Sequence, residues 1–263
     1  MRANFVSGSP EGNDVQLTQT ITLRGFRFAP MTVREIVAHM SSSWDAHRQV
    51  TYAYQNLHTM FLQTTNGELA AAYESGLPIV DGLPIVAMLR AAGHDVTREH
   101  RVTGVDLLHP VLRQAEKDNT NVFIVGQREP VLRAALDVLR ETYPSIKIDG
   151  HHGYFDTESE ASEEVIELAN SHQAGLVIVG LGTPKSEVWV HANRASFDAP
   201  VVWSAGALME YVAGDVPTPP RWSGPLGLEW AFRMASDPKR FFFRYCAEPP
   251  LLALRLLRNR KLR

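Results

Sequence analysis

Apolar and polar positions along the chain alternate between short β-branched runs and longer amphipathic stretches. Leu77–Val80, Val122–Val125, Leu176–Val179 and Val201–Ser204 are apolar without alternation, which is the pattern of strands buried on both faces of a parallel sheet. Val50–Tyr54, Ile146–Ile148 and the longer Leu17–Phe28 also read as strands. Helices are predicted over Thr32–Met40, Gly67–Ser75, Leu83–Ala92, Pro130–Thr142 and Glu158–Ser171, and the segment from Arg101 leads through Gly104 and Asp106 into a further helix ending near Asp118. Val131, Ala134, Ala135, Val138 and Leu139 should share one face of their helix. Pro110 is expected in the first turn of its helix, since deeper it would remove a ladder hydrogen bond.

Strands alternating with helices imply right-handed crossovers and a Rossmann-like α/β fold, with a mostly parallel sheet and helices on both faces. Residues 1–16 read as a polar leader and residues 17–215 as the α/β domain. Four prolines in Val216–Pro225 break the pattern, so residues 216–263 are expected to form a C-terminal helical appendage.

The stretch Gly175–Arg194, GLVIVGLGTPKSEVWVHANR, reads as a strand, a glycine turn and a helix. Gly180 and Gly182 permit a sharp turn and close approach of a ligand. Thr183 is expected as the N-cap and Pro184 as the first helical residue. Free amides at such a helix start suit a diphosphate, although the same sequence serves equally as a structural turn. Gly180-x-Gly182-x-x-Lys185 lacks the third glycine of the dinucleotide fingerprint.

Charge is distributed unevenly. The net charge is −3, but residues 221–263 carry ten Lys or Arg against three acids, a balance of +7, leaving −10 on the rest. A wheel begun at Lys239 sets Lys239, Arg240 and Arg244 on one arc and Phe241, Phe242 and Tyr245 on another, with Phe243 as the exception. This fits either an interfacial helix on an anionic membrane or a helix pair docked on the body with a solvated basic face. The chain shows no recognised nucleic-acid-binding module. No apolar run is long enough to span a bilayer, the first sixteen residues lack an apolar stretch, and Cys246 is the single cysteine. The expectation is a cytoplasmic protein in a reducing compartment, touching membrane only peripherally.

Asp81 follows a strand and precedes Gly82, so it is placed at the carboxyl edge of the sheet as a general base or as a helix cap. Asn56, also after a strand, would bind a sugar hydroxyl or close a turn. His151 and His152 are neighbours whose side chains should diverge unless the chain bends. There is no HExxH, no cysteine pair and no Asp-x-Asp, so no metal site is expected.

Taken in order, these motifs resemble the WecG/TagA/CpsF family of bacterial glycosyltransferases. The matching elements are Asn56, the Asp81-Gly82 turn, Arg101-x-x-Gly104-x-Asp106, FIVGQ with Gly126, HHGYF at His151–Phe155 with Tyr154, GTPKSE at Gly182–Glu187, and GLEWAFRMASDPKRF at Gly227–Phe241. The resemblance implies inverting transfer of N-acetylmannosamine or a related hexose from a UDP-sugar to a polyprenyl-diphosphate-linked saccharide in cell-envelope polysaccharide synthesis. It implies no metal and no cofactor, and places the enzyme on the inner face of the cell membrane. By this resemblance Asp81 is the general base, and Asn56, Arg101, Gly104, Asp106, Gly126 and Tyr154 belong to the substrate site. Gly182, Thr183, Pro184, Lys185, Ser186 and Glu187 would hold the nucleotide. Arg221, Arg233 and Arg240 would close the site over the diphosphate and face the lipid. Self-association that competes with membrane binding is a further implication. The chain has Ser186 where family members usually have Gln, Tyr54 where a Thr is common, and Thr218 where an Arg is expected. These departures leave the donor sugar open. UDP-glucose or UDP-glucuronate for an exopolysaccharide, and a non-catalytic UDP-sugar-binding membrane partner, are the alternative readings.

Overall fold

The computed structural model describes residues 20–217 and 229–258. The leader, Thr218 and Arg221 lie outside these residues.

The stretch read as one strand at Leu17–Phe28 is a hairpin of β1 (Ile21–Leu23) and β2 (Phe26–Phe28). Arg24 and Gly25 turn it at φ 56° and 77°. Next comes α1 (Val33–Asp45), capped by a reciprocal pair of bonds between Thr32 and Glu35. It runs past Met40, where the sequence reading ends it, because Trp44 on its last turn is buried and donates its indole N–H to Asp118. Then follow β3 (Val50–Gln55), α2 (Leu57–Gln63), α3 (Gly67–Ser75), β4 (Leu77–Val80) and α4 (Leu83–Ala91).

Thr103 and Asp106 cap α5 (Gly104–Lys117) with another reciprocal pair. Pro110 falls in its second turn rather than its first, because this cap starts the helix at Gly104. After β5 (Val122–Gly126), α6 (Glu129–Thr142) buries Val131, Leu132, Ala135, Leu136 and Leu139. Ala134 and Val138, expected on that face, are exposed, because turning Leu132 and Leu136 inward buries more apolar surface. Ile146 is buried ahead of β6 (Ile148–His151), so the strand begins two residues later than predicted. The body ends with α7 (Glu160–Ser171), β7 (Leu176–Gly180), α8 (Lys185–Asn193), β8 (Val201–Ser204) and α9 (Leu208–Val212). The C-terminal part holds α10 (Glu229–Ser236), α11 (Pro238–Phe242), a π-helical turn over Phe243–Ala247 and α12 (Glu248–Arg258).

Strands β4-β3-β8-β7-β5-β6 form one sheet, with every neighbouring pair parallel. This order differs from the doubly wound 3-2-1-4-5-6 arrangement, because the last strand inserts between β3 and β7. Alternate residues fill the two faces. Tyr52, Ile124, Ile178 and Trp203 join a core with α1, α5 and α6, while Phe123, Val125, Val177, Val179 and Val202 join one with α7 and α8. That explains why the strands read as unbroken apolar runs. A third cluster packs the hairpin, α2 and α4 against Leu252 of α12, which docks the C-terminal part on the body. With all strands pointing one way, their carboxyl ends share one edge, and the site forms there.

Candidate functional site

Above that edge lies a cleft of about 1530 Å³. Its lining comes from the ends of β3, β4, β5, β7 and β8 and from the C-terminal part. One half of the floor exposes main chain at Gly153, Gly180 and Gly206. A Cβ on Gly126 would sit 2.6 Å from the Gly180 carbonyl oxygen, and one on Gly180 would sit 2.7 Å from that of Gly206. No side chain fits between the ends of β5, β7 and β8, so a ligand there meets main chain.

The loop after β7 departs from the sequence reading. The Thr183–Pro184 peptide is cis, Pro184 occupies the N-cap position and α8 begins at Lys185. Thr183 is therefore not the cap. Its hydroxyl donates instead to Glu187 Oε1 at 2.9 Å. Gly182, at φ +85°, has open space around it and serves the turn. Ser186 is fully buried, and its hydroxyl accepts the Leu181 amide at 2.9 Å, so it supports the loop from beneath. Lys185 lines the cleft with its ammonium over the Phe155 ring.

The other half of the cleft is charged. Asp81 caps nothing, since α4 has Gly82 at its N-cap and no side-chain cap bond. Its Oδ2 accepts the side-chain amide of Asn56 at 3.0 Å. Asn56 also caps α2, its Oδ1 accepting from the Thr59 amide at 3.1 Å. Of the readings open for Asn56, the structure shows the structural one, as a helix cap, and adds a bond to Asp81. The carboxylate faces the cleft, and among the described residues Asn56 is the side chain that donates to it.

Arg101 and Asp106, expected in the substrate site, do not line the cleft. They face each other at 3.6 Å, and Asp106 is spent on the α5 cap. Gly104 does line it, where a Cβ would meet Leu208 at 3.2 Å. Tyr154 stands over the cleft 73% exposed, an aromatic face left to solvent. His151 and His152 do not diverge, since the chain bends and their rings lie 4.3 Å apart.

The C-terminal part supplies Arg233 and Arg244 to the cleft. The basic arc drawn through Lys239, Arg240 and Arg244 does not hold, because the π-turn shifts the helical phase and carries Arg244 inward. Burial pushes the Arg244 guanidinium down, and Arg233 adds to this, against the attraction of Asp81 and Glu248. A second contact binds this segment to the body. His58 Nδ1 lies 2.6 Å from the buried Glu248 carboxylate, and burial, then Arg244, holds the imidazole below its usual pKa. Neutral His58 therefore donates from Nδ1. Arg255 lies 4.2 Å over the Phe61 ring and donates to Thr64.

Glu187 lies beneath the loop after β7, buried to 6% exposure, and burial lifts its carboxyl to about 7. Among the described residues, no group of three or more His, Cys, Asp or Glu side chains could hold a metal ion. Sequence reasoning missed Gln127, His58, Ser204 and Glu248 as cleft residues. Gln127 carried a signal, since it follows β5 as Asp81 follows β4. The His58–Glu248 contact, between residues far apart in the chain, carried none.

The Glycosyl transferase WecG/TagA/CpsF family matches residues 21–263. The chain belongs to this family. It is a glycosyltransferase. The N-acetylglucosaminyldiphosphoundecaprenol N-acetyl-beta-D-mannosaminyltransferase of Staphylococcus aureus strain MW2 is 27% identical over 236 residues, which cover 85% of this chain and 87% of the relative. The enzymes of the same name from strains NCTC 8325 / PS 47 and MRSA252 are 27% and 28% identical over the same lengths. No helix among the described residues is long and apolar enough to cross a membrane.

Proposed function

We propose that this transferase moves N-acetylmannosamine or a related hexose from a UDP-sugar to a polyprenyl-diphosphate-linked saccharide, with inversion and without a metal. The observation that carries the reading is Asp81, a cleft-facing carboxylate held on one oxygen by Asn56, opposite a glycine-floored half suited to a nucleotide. The names of the similar Staphylococcus aureus enzymes supply the acceptor class and the sugar.

Asp81 takes the proton of the acceptor hydroxyl. The freed oxygen attacks the anomeric carbon from the face opposite UDP, and the bond from that carbon to the β-phosphate oxygen breaks. Lys185, Arg244 and Arg233 lie around the same cleft, where they meet the charge developing on the diphosphate. Tyr154 offers its exposed ring to the uracil. Arg240 and Arg221 remain assigned to closure of the site, with neither side chain among those described.

The lipid-linked acceptor requires the enzyme at a membrane. Phe242, Phe243, Leu251, Leu254 and Leu257 are exposed on the C-terminal segment beside exposed Lys239 and Arg258. That mixture fits peripheral contact with an anionic leaflet, on the cytoplasmic side where sugar nucleotides are held.

The test is release of UDP from a panel of UDP-sugars in EDTA, with and without a short-chain polyprenyl-diphosphate-GlcNAc acceptor. Acceptor-dependent release from one donor is expected. Turnover that needs a divalent cation, or persists in Asp81→Asn, would overturn the mechanism.

A further inference from the structure

Glu187 belongs to two cavities. It lines the cleft, and with Ser204 it also lines a second cavity of about 360 Å³ between α3 and α8. This lower cavity runs over β3 and β8 towards Gln49, Thr51 and Leu77, at or beside the amino ends of β3 and β4. His191, one turn along α8, lines it as well and bonds Ser75 at 3.0 Å near the surface. Glu187 and Ser204 thus stand as a partition between the cleft floor and a cavity beneath, where Thr51, Ser75 and His191 are polar groups among largely apolar walls.

The two oxygens of Glu187 are unequal. Oε1 accepts the Thr183 hydroxyl, whereas Oε2 is buried with no hydrogen-bond partner among the described residues, as is Ser204 Oγ. Burial therefore costs an ionised carboxylate more than the Thr183 hydroxyl, its own backbone amide and Arg244 return. The charged and titratable groups around it are Tyr73 on α3, Arg244 from the C-terminal segment, Asp81 and Lys185 in the cleft, and His191 and Arg194 along the lower cavity. Arg244 favours the ionised form, but it also faces Asp81 and Glu248, which share its charge. Arg194 is committed to the Ala199 and Pro200 carbonyls.

We propose that Glu187 determines what this cleft accepts: it admits a diphosphate only while protonated, and its proton exchanges through the lower cavity. This rests on the reading that the cleft takes a sugar nucleotide. A neutral carboxyl keeps the floor beneath Thr183 and Lys185 free of negative charge and leaves Thr183 its acceptor. An ionised one sets a charge of the same sign beneath the ligand where water does not screen it. The rise to about 7 puts this change inside the physiological range.

Two measurements on the full chain and on Glu187→Gln test this. The first is difference infrared spectroscopy without ligand, from about pH 6 to about pH 8.5. A protonated-carboxyl band that fades over this range in the wild type and is missing from Glu187→Gln is expected. No such band at the acidic end overturns the proposal, whatever the cleft binds. The second is titration calorimetry with UDP. Wild-type affinity should fall roughly tenfold over two pH units beyond any fall in Glu187→Gln, which reports the ligand's own ionisation. Parallel profiles in the two proteins overturn the gating. Failure of both proteins to bind UDP at any pH, with the infrared band present, instead removes the sugar-nucleotide reading, and with it the diphosphate gate.

Discussion

The two halves of the cleft are built differently. The half over β5, β7 and β8 exposes main chain at Gly153, Gly180 and Gly206, where Gly126, Gly180 and Gly206 pack edge to edge, with Gln127 and Lys185 at its rim. The half over β3 and β4 is side chains, Asp81, Asn56 and His58, joined by Arg244 and Glu248 from the far end of the chain. The main-chain groups of the first half are removed by no substitution and are sensitive to added atoms, and Glu187 beneath them is the side chain whose charge can be altered. A side-chain wall can be disarmed one residue at a time without disturbing the sheet. Binding should therefore depend on the first half and chemistry on the second.

The largest expected effect is on the side-chain wall. Asp81→Asn should lower kcat by about 10²–10⁴-fold with UDP affinity kept, as measured by UDP release and calorimetry. A loss of binding in step with turnover would break the division. On the backbone floor, Gly180→Ala brings a Cβ against the Gly206 carbonyl and should cost about 1–3 kcal/mol, read by urea denaturation. An unchanged midpoint would mean the floor can spread. Asn56→Ala removes both the α2 cap and the bond to Asp81, so about 1 kcal/mol of stability should go together with a fall in kcat.

His58→Ala should loosen the C-terminal segment, since buried Glu248 would lose its donor. Faster proteolysis beyond Val216, with the body intact, checks this. The smallest effect concerns Glu187. Its folded pKa is raised, so the native state holds a proton that the unfolded chain releases near the ordinary carboxylate value of 4.5. Stability therefore falls as pH rises from about 4.5 towards 7 and stays lower above that. Glu187→Gln should raise Tm by a few degrees above neutrality and little in acid, checked by thermal scans across that range.

Much of the body was legible because its signals are local. The runs at Val122, Leu176 and Val201 declare doubly buried strands, and Thr32 announces the start of α1. The structure differs from that reading where one local arrangement displaced another of similar pattern. Thr183 looks like a cap but bonds Glu187, Val138 looks buried but yields to Leu136, and Arg244 falls on a basic arc with Lys239 from which a π-turn removes it. Asp106, in a motif shared with the family, is taken up by its own helix start.

By itself the sequence determined the α/β class, the placing of Asn56 and Asp81 after strands, and the basic C-terminal end, because periodicity, turn chemistry and charge are properties of neighbouring residues. Only the tertiary structure decided the strand order, the backbone floor, the pairing of His58 with Glu248 and the lone edge of Glu187. Each of these depends on segments far apart in the chain meeting at distances that no spacing along it records.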